Sequence, residues 1–340
     1  MDILSLSRWR STCRVNYAQG TSSLQRTLTD HLRAFVPSVH QLVDIVTAHG
    51  GVFGGEIALS FILRDDPYRP PTLEIYSSYS THAKLCKSIL ENPSIRTHIE
   101  NYAFSNNTLF RSVHRHIVSS LVVHLTNGRS IIVHQSYTSS PSAPISRAPC
   151  TALSNFVTPY SFGCSHPALT FARRALLADK ELAIFSPFDF EALDRLLARN
   201  FSIAVSPSAW PEYRRIFEDG LLWSPEECRR DRFVCPNQGR FFGDKGSMVG
   251  YFDPLGADEE RCMKNNVAPF GPMVIWRMMT TFECDDGCDY LDEALDHGVA
   301  SIPVLFRKDE FGELRDCISD GRTRTSPLYR YLKRGRSFSV

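Results

Sequence analysis

The chain lacks an excess of charge of either sign. Its 340 residues carry 38 lysines and arginines against 37 aspartates and glutamates, a formal net charge of +1. Nucleic-acid coats and membrane-surface proteins usually carry a large basic excess, so this balance argues against both for the body of the protein. No window approaches eighteen uninterrupted apolar residues, which excludes a membrane-spanning helix. Residues 1–15 are broken by Arg8, Arg10 and Arg14 and lack the apolar core of a secretory signal. With 19 glycines and 20 prolines the chain is neither collagen-like nor wholly disordered. A phosphate loop ending in Gly-Lys-Ser/Thr is missing, and Gly243–Ser247 resembles one only superficially. A Gly-x-Ser-x-Gly elbow is also missing, and no cysteine sits in a protease signature, which removes the usual nucleophile motifs. Ten cysteines scattered through a chain without a signal read as reduced thiols, several of them in the core, in cytosol or nucleus.

What remains is a globular composition, 43% hydrophobic and 22% charged. Leu24, Leu28 and Leu32 recur every four residues and predict an amphipathic helix over 22–36. A second helix is predicted over 38–49, capped by Ser38 and stopped by Gly50. Four glycines (50, 51, 54 and 55) make a turn into a short apolar helix, residues 64–71 form a proline loop, and Thr72–Tyr76 is a strand. Thr81 is placed to cap a helix carrying Leu85, Ile89 and Leu90. Residues 116–135 read as a hairpin around Asn127-Gly128, a pair suited to a type I′ turn with two positive φ angles. Helices are predicted again where Phe190, Leu193, Leu196 and Leu197 share a face with Asn200 as the stop, and between Pro211 and Gly220. Residues 247–252, 272–279 and 301–306 read as short buried strands, so the fold class is α+β.

The run Gly54-Gly55-Glu56-Ile57-Ala58-Leu59-Ser60-Phe61, a proline-rich loop, and then Thr72-Leu73-Glu74-Ile75-Tyr76 resembles the start of the nucleotidyltransferase superfamily, the polymerase-β-like fold. Residues 151–177 and 235–254 extend the likeness. The pattern is most similar to a set of fungal, mostly basidiomycete, proteins that join a short F-box-like N-terminus to a nucleotidyltransferase-like domain. The resemblance implies a mixed sheet with flanking helices, preceded by short F-box-like helices. It also implies a nucleotide site at Gly54, Gly55 and Glu56, where glycines admit backbone amides to a triphosphate, and a catalytic acid at Glu74 among carboxylates that hold two Mg2+ ions. It divides the chain into residues 1–36 (F-box-like), 37–177 (nucleotidyltransferase-like core), 178–320 (remainder of that fold or a second lobe) and 321–340 (basic tail).

The departures from the family pattern bear on function. Thr72 stands where the first aspartate belongs, and Ile132 occupies the slot of the third carboxylate. One acid of three cannot balance two divalent cations. The expectation is therefore a non-catalytic binding or scaffold module with no cofactor and no metal. Two alternatives stay open. One is a Mg2+- and nucleoside triphosphate-dependent enzyme in which Asp65 or Asp66 compensates; the other is a ubiquitin-ligase substrate adaptor using the F-box-like helices. The partners expected are a protein, such as the F-box adaptor, weakly bound nucleotide, and nucleic acid only at the tail, with no membrane.

Other constellations carry less. Cys284 and Cys288 lie beside Asp285, Asp286 and Asp289, but a zinc site needs a second ligand pair, and Cys262, His297 and Cys317 are irregularly spaced. His114 and His116 alternate as strand neighbours without a third ligand, and His166 beside Cys164 lacks an orienting group. The charge balance itself is an average. Residues 283–296 hold seven acids and no base, while Arg322, Arg324, Arg330, Lys333, Arg334 and Arg336 give the tail a local +6, interleaved with Tyr329, Tyr331 and Phe338. Ser337, three residues after Arg334, fits a basophilic kinase site that lowers that charge.

Overall fold

The computed structural model describes residues 2–64, 68–106, 116–178, 187–214, 233–235, 238, 240–252, 275–276, 306–308 and 314–316. Asp65, Asp66, His114, Gly220, Cys262, Cys284, Cys288, His297, Cys317, the acidic stretch 283–296 and the basic tail lie outside them.

The chain opens with α1 (Ile3–Arg10) and α2 (Arg14–Arg33), then α3 (Val39–Ala48). Asp2 caps α1 by accepting the Ser5 N–H at 2.8 Å. Helix α2 begins well before the predicted start, and Leu24, Leu28 and Leu32 form its buried stripe. Helix α3 has the predicted span, and Gly50 follows it with a left-handed φ of 61°. Neither Ser38 nor Thr81 makes the predicted capping bond; their helices are fixed by burial of Val39, Leu42 and Val46, and of Leu85 and Ile89.

Next come β1 (Val52–Gly54), α4 (Gly55–Leu63), β2 (Thr72–Ser77), α5 (His82–Glu91), α6 (Pro93–Arg96), β3 (Ile99–Asn106), β4 (Ile117–Leu125) and β5 (Ser130–Ser136). Helix α4 is largely apolar and is buried from Gly55 to Ile62, with Glu56 its one charged residue. The β4–β5 hairpin forms as predicted, with a different turn. Gly128 alone takes a positive φ there (77°), and its N–H bonds the Leu125 carbonyl at 2.9 Å. Asn127 instead spends its side chain on a 3.1 Å bond to the Ala34 carbonyl, which ties the turn to the end of α2. A three-residue loop needs only one left-handed residue, so glycine serves there by itself.

The chain continues through the short helices α7 (Ala143–Ser146) and α8 (Pro167–Phe171) and the short strand β10 (Arg240–Phe241). Strands β6 (Asn155–Val157), β7 (Ser161–Cys164) and β11 (Met248–Tyr251) complete an eight-stranded mixed sheet in the order β11-β7-β6-β1-β2-β5-β4-β3. Every neighbouring pair is antiparallel except β2 and β5, joined by a crossover through α5, α6, β3 and β4. Strands β8 (Arg174–Leu176) and β9 (Ser202–Ala204) pair in parallel beside it. Of the predicted late strands, Met248–Tyr251, Ile275–Trp276 and Phe306 are in strands; the rest of 272–279 and 301–305 lie outside the described residues.

Alternation along the central strands sorts the two sheet faces. Leu73, Ile75, Leu121, Val123, Ile131 and Val133 are fully buried in one cluster with Leu24, Leu28, Leu32, Ile57, Phe61, Phe162 and Phe252. Ile3 and Leu6 belong to it too, so α1 and α2 share their core with the sheet. Arg10 locks that union from beneath. Its guanidinium donates to the carbonyls of Tyr251 and Phe252, and Thr21 Oγ1 adds a 3.0 Å bond to Phe252. A second cluster joins Leu59 and Leu153 to Leu193, Leu196 and Phe201, burying α9 (Pro187–Ala198). On α9, Ala192 takes the inner position, and Phe190 and Leu197, expected inside, are 42% and 53% exposed. Asn200 ends the helix as predicted, with a left-handed φ of 62°. Among the described residues no helix is long and apolar enough to cross a membrane, and no disulfide forms.

Candidate functional site

The site is built where β1 turns into α4, against β2. Gly54 stands opposite Glu74 in the β1–β2 register, and Gly55 has a φ of +58°. That conformation, and the closeness of β2, explain both glycines. A Cβ on Gly55 would lie 2.6 Å from the Glu74 carboxyl carbon, and one on Gly54 would lie 2.6 Å from Tyr76 Cε2. Side chains from β2 thus lie against the glycine turn.

Glu74 shares one sheet face with its neighbours because parallel and antiparallel partners point the same way. The registers pair Glu74 with Ile132, Tyr76 with His134, and Ser120 with His134. Ile132, the slot read from the sequence as lacking the third carboxylate, is therefore the direct cross-strand neighbour of Glu74. The Tyr76 hydroxyl donates to Glu74 Oε2, His134 Nε2 lies 3.9 Å from that oxygen, and His134 Nδ1 is 2.8 Å from Ser120 Oγ. The Tyr76 and His134 rings stack with centroids 5.0 Å apart. Glu74 keeps 21% of its side chain exposed.

Glu56, in the first turn of α4, faces elsewhere and is buried. It accepts from Tyr68 Oη at 2.6 Å and pairs with Arg195 Nε of α9 at 2.8 Å. Arg199 lies over the Tyr68 ring at 4.0 Å. Burial, reinforced by the Glu56 charge, holds the Tyr68 hydroxyl far above its ordinary pKa, so it stays a donor. Burial opposes the charge on Arg195, and the Glu56 carboxylate outweighs that opposition. This cluster ties α4 to α9 with a charge pair that is costly to break.

A two-cation site needs several converging oxygen ligands. Among the described residues no group of three or more His, Cys, Asp or Glu side chains is arranged to hold a metal ion. Glu56 and Glu74 instead have protein partners of their own, so the donor set described does not fit a pair of magnesium ions.

The remaining candidates separate. Cys164 bonds Thr170 at 3.5 Å and His166 bonds Ser165 at 2.8 Å, so each is engaged elsewhere. Burial raises the Cys164 thiol to about 11 and drives His166 well below the usual imidazole range, the opposite of an activated thiolate–imidazolium pair. Gly243–Ser247 is a turn organised by Asp244, which accepts from buried Arg240 at 2.6 Å and from the Gly246 N–H at 2.9 Å. His116 sits in the turn before β4 with a φ of 54°.

Sequence reasoning missed Tyr76, His134, Ser120, Tyr68 and Arg195. Tyr76 lies two residues after Glu74 and so must share its face, which is a usable signal. His134 and Ser120 need the β2–β5–β4 register, and Arg195 needs the docking of α9. No known protein family, characterised protein or solved structure matches the chain.

Proposed function

We propose that the chain is a degenerate nucleotidyltransferase-like protein of polymerase-β-like fold, acting as a non-catalytic intracellular binding or scaffold module. One observation carries the reading: both acids of the motif are committed to protein partners, Glu56 to Arg195 and Tyr68, Glu74 to Tyr76 with His134 at 3.9 Å. An acid that holds catalytic magnesium must present free oxygens to the ion. Support for the fold comes from the order of glycine turn, helix and acid-bearing strand, with β5 parallel to β2 and Ile132 beside Glu74. The adaptor alternative is disfavoured because Leu24, Leu28 and Leu32, the stripe that a partner would need, are buried under the chain's own sheet.

The test is a thermal-shift screen of ATP, GTP, CTP and UTP with and without Mg2+, since a ligand selective for the folded state raises its melting point. The proposal expects no Mg2+-dependent rise. A rise that needs Mg2+ and vanishes in Glu74→Ala contradicts it.

A further inference from the structure

We draw no further inference here: the strongest candidate, the buried His82–Cys86 pair where α5 meets β2, carries nothing, because Cys86 Sγ lies 3.4 Å from His82 Nε2 and 3.9 Å from Nδ1, off the lone pair of either nitrogen, and no third Cys, His, Asp or Glu among the described residues joins it to make a metal site.

Discussion

Replacing Gly55 by alanine is expected to destabilise the protein through one identifiable neighbour, Glu74. Two costs combine. Holding a non-glycine residue at a φ of +58° costs about 1–2 kcal/mol. The new Cβ would also stand 2.6 Å from the Glu74 carboxyl carbon, closer than real contacts allow. Glu74 must then swing away, which loses the charge-assisted bond from Tyr76, worth about 1.5–3 kcal/mol. The single variant should therefore lose about 2.5–5 kcal/mol in urea unfolding, read as a fall in the midpoint with an unchanged slope. In a Glu74→Ala background only the backbone cost remains, about 1–2 kcal/mol. The two substitutions should be coupled by about 1.5–3 kcal/mol in a double-mutant cycle, well beyond the few tenths seen for independent sites. Equal costs of Gly55→Ala in both backgrounds would refute the claim that Glu74 fills the space over the glycine turn.

Arg195→Ala strands the buried Glu56 carboxylate and should cost about 3 kcal/mol, whereas Arg195→Ala made together with Glu56→Gln should recover part of that loss in the same urea measurement. Leu28→Ala should cost about 2–5 kcal/mol, as deletion of a core leucine does, and a cost under 0.5 kcal/mol would show that the N-terminal helices are not part of the shared core. Burial lowers His82 from 6.5 to about 4, with Ser77 and Cys86 as its neighbours. Because the unfolded chain binds that proton first, its contribution to stability is whole above pH 6.5 and is lost as pH falls from 6.5 towards 4. Unfolding midpoints between pH 7 and 4 should therefore fall less steeply in His82→Phe than in the wild type.

The elements most legible in the sequence are those whose pattern is local. The leucine stripe of α2, the β4–β5 hairpin and the asparagine stop at Asn200 each follow from periodicity or one residue's backbone preference. Strand β3 was not legible because Ile99–Asn106 has no sustained apolar–polar alternation, and residues 100–105 lie exposed at the sheet edge. Phe190 and Leu197 read as core because helical spacing alone does not say which of two flanking positions the packing will cover; Ala192 takes that place. At the site, Gly54 and Gly55 lie against Glu74, and the motif cannot reveal what surrounds them. Arg195 is 139 residues from Glu56, and its role follows only from how α9 docks on α4. His134 reaches Glu74 through the parallel β2–β5 register, a non-local pairing that no single stretch of sequence encodes.

The central claim, that Glu74 serves the architecture rather than magnesium-dependent chemistry, is tested most directly by turnover. The full chain and Glu74→Ala are incubated with each nucleoside triphosphate and Mg2+, and triphosphate consumption is followed by phosphate and pyrophosphate release. The account predicts equal, background rates for the two proteins. Mg2+-dependent consumption by the wild type that disappears in Glu74→Ala contradicts it.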